Sequence, residues 1–302
     1  MPSPLFLLAP PRSYTSLFNA MIGQHPQTYG LPELNLFNVT HLKNLWHRVS
    51  DDIGGDTNRR HGLLRTVAEV YGGEQTAATV NMAIHWCAAR QEMESGEIYK
   101  ELVAKLEPRI IVEKSPAYTI APDRLERMFD TFPDARFIHL VRHPIPQCES
   151  VLKLNNGVFA VFVNSFDFSD DKCVLDPQIA WHDLNVNILN LLARVPADQQ
   201  MRLRGEDCMA APEDHLRGIC RWLDLRDDDD AVAQMMKPER SPYACFGPIN
   251  ALFGNDPNFM RGPAFRPHKP KVPPLNGPLS WREDGKRLRP EVVALAQEFG
   301  YV

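Results

Sequence analysis

Short, fully apolar runs punctuate this chain, and several of them run straight into charged or hydroxyl-bearing residues. Leu5–Leu8 is apolar at every position, as expected of a parallel strand buried on both faces. Residues 10–15, Pro-Pro-Arg-Ser-Tyr-Thr, form a turn, and 16–22 read as a helix with Leu17, Ala20 and Met21 on one face. Gln24-His25-Pro26 ends that helix, and 28–31 form a candidate second strand. Residues 109–112 and 137–141 repeat the apolar pattern, the first running into Glu113-Lys114-Ser115 and the second into Arg142-His143-Pro144. Before both, 38–106 read as mostly helical, and 75–106 are rich in the helix formers Ala, Glu, Met and Lys.

Further helices are expected at 123–130, 146–153, 180–193, 213–223 and 290–299, with a strand at 201–204 and a loop at 155–175. Residues 227–230, four aspartates, read as a solvated loop, and 238–280, dense in Pro, Gly and Asn, as an irregular flap. Strands alternating with helices predict an α/β fold whose central parallel sheet is flanked by helices on both faces. The whole chain, 1–302, reads as one domain, with a helical insertion at about 38–106 and the flap at about 238–280. In such sheets ligands gather at the carboxyl ends of the strands.

Composition narrows the function. A net charge of −5 over 302 residues argues against nucleic acid or an acidic membrane surface as partner. The six cysteines form no CxxC pair and no Cys/His cluster with metal spacing, so they read as free thiols of a reducing, cytoplasmic compartment. No apolar run reaches membrane length, and the apolar start is too short for a secretory signal.

Candidate chemistry sits at the strand ends. The loop Pro11-Arg12-Ser13-Tyr14-Thr15-Ser16 opens a helix, so its free amides, the Arg12 charge and three hydroxyls suit a phosphate. It lacks the Gly-Lys-[Ser/Thr] ending of a Walker loop, and no strand ends in an aspartate placed for Mg²⁺; a metal-dependent small-molecule kinase is disfavoured, and no metal site is expected. Arg142 leaves a buried strand, with Ser150 eight residues on, and the two could grip one phosphate from two sides; the plainer role for Arg142 is an ion pair with Glu149. Lys114 ends another strand, and Glu33 lies just past the second, among apolar neighbours; an ordinary solvated lysine and a surface-turn glutamate are the alternatives.

Together these segments resemble the PAPS-dependent sulfotransferases, PAPS being 3′-phosphoadenosine 5′-phosphosulfate. Residues 11–16 are similar to that family's 5′-phosphosulfate loop, and Arg142 with Ser150 to its 3′-phosphate pair. The stretch 132–144, Glu206-Asp207 with the following helix, Trp281 and the Phe299-Gly300-Tyr301 ending extend the resemblance over nearly the whole chain. Gln24-His25-Pro26 and Pro32-Glu33 look similar to tyrosylprotein sulfotransferases and to sulfotransferase domains of polyketide-type assembly lines; Gly254-Asn255-Asp256-Pro257-Asn258-Phe259 fits the latter.

The resemblance implies a P-loop-like three-layer fold and transfer of a sulfuryl group from PAPS to a hydroxyl of a small molecule, one that a carrier protein could present, leaving PAP. It implies Glu33 as base, with Arg12 and Lys114 assisting. It also implies that residues 12–16, Arg142 and Ser150 hold the donor, without metal. Tyr14 stands where the family has glycine; it is expected to keep a negative φ and turn its ring from the ligand. A donor-binding protein without turnover is the rival that Tyr14 invites. Should Glu33 not be the base, His25, His139, His143 and His268 come next, His268 in the flap first.

Overall fold

The computed structural model describes residues 2–46, 57–154, 157–168 and 172–302. The strands are β1 (Leu5–Leu8), β2 (Thr28–Gly30), β3 (Ile110–Glu113), β4 (Arg136–Val141), β5 (Phe166–Asp167), β6 (Val174–Leu175) and β7 (Gln200–Arg204). Five of them form one parallel sheet in the order β2-β3-β1-β4-β7, while β5 and β6 pair antiparallel apart from it. In register, Leu5 lies opposite Val112 on one side and Arg136 on the other, so β1 is the central strand. The chain crosses from β1 over β3 to β2, then from β3 over β1 to β4. The order therefore reverses beside β1, and in such sheets ligands bind at the carboxyl edge by that reversal.

The helices are α1 (Thr15–Gly23), α2 (His61–Gly72), α3 (Ala77–Ala88), α4 (Ser95–Leu106), α5 (Pro122–Thr131), α6 (Pro144–Lys153) and α7 (Val158–Phe162). After them come α8 (Pro177–Leu192), α9 (Gly205–Ala210), α10 (Pro212–Trp222), α11 (Asp229–Met235), α12 (Pro257–Arg261) and α13 (Pro290–Glu298). Period-2 alternation in β1 divides the core between the two faces. Phe6 and Leu8 pack with Ile111 and Phe137 under α2 to α5 and α8. Leu5 and Leu7 pack with Val112, Ile138 and Leu140 under α1, α9, α10 and α11. A third cluster joins Val141, Ile145 and Trp181 to Val292, Ala296, Phe299 and Tyr301 of the C-terminal segment. These are the three layers expected of an α/β fold.

The expected strands and long helices are present to within a few residues at their ends; of the helical 38–106 stretch, residues 47–56 lie outside those described. Two expectations need correction. The 155–175 stretch carries α7 and the β5–β6 pair; strands of two residues are too short for alternation to mark. The acidic run is not merely a solvated loop: Asp228 caps α11, its carboxylate accepting the Ala231 amide at 3.1 Å, and Asp229 and Asp230 fill the first turn, where the helix dipole favours negative charge.

Phe6 lies at the centre of an aromatic cluster, its ring 6.0 Å from Phe37, 5.5 Å from Tyr99 and 5.9 Å from Phe137. Phe6→Ala is expected to destabilise the fold by about 3–5 kcal/mol, because the cavity opens under the central strand. Urea unfolding of the two proteins measures this.

Candidate active site

Helical geometry leaves the first amides of α1 without helical partners, and the turn before it aims them at the sheet edge. The bond from the Phe18 amide to the Tyr14 carbonyl, at 3.1 Å, starts the helix, so the amides before Phe18 have no helical partner. The turn is strained at two non-glycine residues, Arg12 with φ 70° and Tyr14 with φ 64°. Tyr14 thus departs from the negative φ expected of it: it adopts the left-handed conformation that a glycine would have supplied. Its ring is packed against two other parts of the chain. The Arg142 guanidinium lies 4.5 Å from the ring centroid, and Gly205 at the start of α9 lies so close that a Cβ there would meet the ring at 2.6 Å.

Around this loop the sequence-predicted donor residues converge. The Arg12 Nε donates to Ser150 Oγ at 3.0 Å, and its Nη1 pairs with Asp256 of the flap. Arg142 Nη1 donates to the Arg12 carbonyl, and Gln147 of α6 donates to the Pro11 carbonyl at 2.5 Å. Ser150 therefore touches Arg12 rather than Arg142, with both arginines beside the same loop. Glu149 does not take Arg142 as its partner; it accepts from Ser280 Oγ at 2.9 Å. Buried polar atoms here lack partners among the described residues: Ser13 Oγ, Arg142 Nε, His143 Nε2 and Gln147 Oε1. The unpartnered donors Ser13 Oγ and Arg142 Nε are what a phosphorylated ligand would satisfy, whereas Gln147 Oε1 is an acceptor and would not bond its anionic oxygens.

The strand end carrying Arg142 is itself fixed. Glu206 accepts the His143 amide at 3.0 Å and the Tyr301 hydroxyl at 2.7 Å, and Trp181 Nε1 donates to the Arg142 carbonyl at 3.0 Å.

A second cluster sits at the ends of β2 and β3. Lys114, 1% exposed, pairs through Nζ with Glu33 Oε1, whose side chain is 29% exposed. So neither the solvated lysine nor the solitary surface glutamate describes them; a buried ammonium needs such a partner. Close backbone contact seats Glu33: a Cβ on Gly62 of α2 would fall 1.9 Å from the Glu33 carbonyl. The Glu33 amide donates to the Gly254 carbonyl at 2.8 Å. Two residues further on in the flap, Asp256 holds Arg12. Residues 254–256 thus join the two clusters.

Glu113, the last residue of β3, is fully buried, and burial pushes its carboxyl up to about 8 in spite of hydrogen bonds from Ser115 and the Leu34 amide. Residue order alone assigns no role to Glu113, Asp256, Gln147 or Glu206. Asp256 lies in a quoted motif and Glu113 beside Lys114, yet nothing local says which way either side chain turns.

The candidate histidines divide. His139 is buried, bonded through Nε2 to Asn185 Oδ1 at 2.9 Å, and burial lowers it to about 4. His143 is also held near 4 by burial, edge-on to Tyr301. His25 Nε2 meets the Arg226 carbonyl at 2.9 Å, while His268 is exposed in the flap.

Comparison with known proteins follows this geometry. Over its full length the chain is similar in fold to the sulfotransferase domain from the curacin biosynthetic pathway, at 22% identity and a TM-score of 0.79, covering 99% of that domain. It is similar too to the sulfotransferase domain of the Synechococcus PCC 7002 olefin synthase, at 25% identity and a TM-score of 0.72, covering 97% of it. Omega-hydroxy-beta-dihydromenaquinone-9 sulfotransferase Stf3 of Mycobacterium bovis and its Mycobacterium tuberculosis counterpart are each 28% identical over 122 residues, 39% of this chain. That match spans only 30% of either relative's length. A sequence profile of the Sulfotransferase family matches residues 4–229, from the strand that opens the sheet to the start of α11, and the chain belongs to that family.

Proposed function

We propose that this protein transfers a sulfuryl group from PAPS to a hydroxyl of a small-molecule acceptor, one that a carrier protein presents. The observation carrying the reading is the meeting of two clusters under one flap segment: Arg12 with Ser150 and Arg142 on one side, and Glu33 with Lys114 on the other. PAPS, when bound, supplies the sulfuryl group and takes the departing electron pair as PAP. The α1 amides and the Arg12 charge suit its 5′-phosphosulfate, and Arg142 and Ser150 its 3′-phosphate. Glu33 takes the proton of the acceptor hydroxyl while the new O–S bond forms and the bridging S–O bond breaks. Lys114, paired with that carboxylate, and Arg12 balance the charge gathering on the bridging oxygen.

The likeness to the olefin-synthase sulfotransferase domain over this chain's full length supports the reading of a carrier-presented acceptor. A cytoplasmic setting is consistent with six free cysteines and with the finding that no described helix is long and apolar enough to cross a membrane.

Three outcomes are expected. Arg142→Ala weakens PAP binding about 10- to 100-fold by calorimetry, the worth of a charged hydrogen bond to the 3′-phosphate; unchanged affinity would remove the assignment. Glu33→Gln lowers the transfer rate about 10²- to 10⁴-fold while PAP affinity holds, and full turnover would place the base elsewhere. Asp256→Asn keeps the α12 cap but releases Arg12, so PAP binds about 2- to 5-fold more tightly than to the native chain. A weaker complex would mean that Asp256 helps to bind donor rather than competing with it.

A further inference from the structure

We propose that Glu113 is a positioning residue for Glu33: its buried carboxyl, acting with the Ser115 hydroxyl, grips the backbone of residues 34 and 35 and so fixes the turn that carries the base. The inference rests on the reading of Glu33 as the base.

Every buried backbone amide in this turn needs an acceptor. Beyond β2 the Leu31 amide still donates to the Val112 carbonyl at 2.8 Å, continuing the ladder with β3. Pro32 has no N–H, and the Glu33 amide turns away to the Gly254 carbonyl. The chain then leaves the ladder, yet Leu34 is fully buried and its amide needs an acceptor. Glu113 Oε1 accepts it at 3.1 Å, and Ser115 Oγ accepts the Asn35 amide at 3.1 Å while donating its own proton to Glu113 Oε1. Side chains have replaced strand β3's carbonyls as the acceptors for two residues.

Alternation along the chain makes this work. Glu113 and Ser115 turn to one side and hold the backbone after Glu33, while Lys114, between them, turns to the other and holds the Glu33 carboxylate. Three consecutive residues therefore grip three consecutive residues, 33–35. Asn35 sits at φ 56°, a left-handed conformation that persists only where its surroundings hold it.

Ser115 bonds to Glu113, and Glu33, Lys114 and the fully buried Tyr99 and Tyr118 are the titratable groups near enough to interact with it electrostatically. Its other oxygen, Oε2, has no partner among the described residues. Burial raises this carboxyl, and the geometry gives its Oε1 the task of accepting hydrogen bonds. Glutamine offers the same carbonyl oxygen at the same reach; alanine leaves a buried amide without an acceptor.

The experiment compares the full chain with Glu113→Ala, Glu113→Gln, Ser115→Ala and Glu33→Gln. Hydrogen exchange is read on a peptide covering residues 33–38, PAP affinity by calorimetry, and PAPS turnover with p-nitrophenol as the probe acceptor. Glu113→Ala is expected to speed exchange in that peptide about 10-fold or more and to lower kcat about 10²-fold, as a displacement of about 1 Å does. KM for PAPS and the affinity for PAP should stay within about twofold, and Glu113→Gln should restore both slow exchange and most of kcat. If Glu113→Ala does not fold, Ser115→Ala, which removes one acceptor of the pair, must show the same split between exchange and PAP affinity at smaller size. Native exchange and kcat in the alanine variants, or a glutamine variant as poor as alanine, overturns the proposal. Undiminished turnover in Glu33→Gln would instead strike the reading of the base, with the exchange result still judging the grip.

Discussion

The ion pair between Lys114 and Glu33 is the interaction on which the site depends. An ammonium at the end of a buried strand is tolerable only with an opposite charge against it, and the carboxylate that answers it must come from another part of the chain. That requirement fixes the path of residues 31–35, which cross above the end of β3 instead of continuing the sheet. It brings α2 in so close that only glycine fits at position 62, and it draws the flap down until Gly254 accepts the Glu33 amide. The acceptor side of the crevice is thus built around one pair of charges.

The donor side uses the same device with a different partner. Arg12 and Arg142 also leave strand ends, but no single carboxylate answers both. Arg142 lies over the Tyr14 ring and bonds to the Arg12 carbonyl, while Arg12 is shared between Ser150 and the flap carboxylate Asp256. Two cations beside one loop, with a hydroxyl and a guanidinium nitrogen left unpartnered, make a place where anionic charge is under-supplied. On the proposed reading, a doubly phosphorylated nucleotide supplies it. Asp256 holds part of that place in the structure, so donor arrival and the position of the flap bear on one another.

Much of this was legible from residue order alone. Apolar runs ending in Arg12, Lys114 and Arg142 marked the strand ends, because a buried parallel strand has no other reason to be apolar throughout and then abruptly cationic. Glu33 was legible only through its motif; nothing in its neighbourhood along the chain reveals that Lys114, 81 residues away, turns toward it. Tyr14 was misread for an instructive reason. Steric rules for an isolated residue disfavour φ near +64° by on the order of 1–2 kcal/mol, a penalty that the ring's contacts with the Arg142 guanidinium and the Gly205 backbone offset. Glu113 and Asp256 escaped notice because their roles are set by which way the side chain turns after a strand end or within an irregular loop. The β5–β6 pair and α7 were too short for periodicity to signal.

The central claim is that one crevice at the carboxyl edge of the sheet holds both ends of a 3′,5′-bisphosphorylated adenosine. A crystal structure of the chain with PAP tests it most directly. The account predicts the 5′-phosphate on the α1 amides beside Arg12, and the 3′-phosphate within hydrogen-bond reach of Arg142 and Ser150. A nucleotide whose 3′-phosphate points to solvent, or one bound away from this edge with Arg12 still on Asp256, would contradict it.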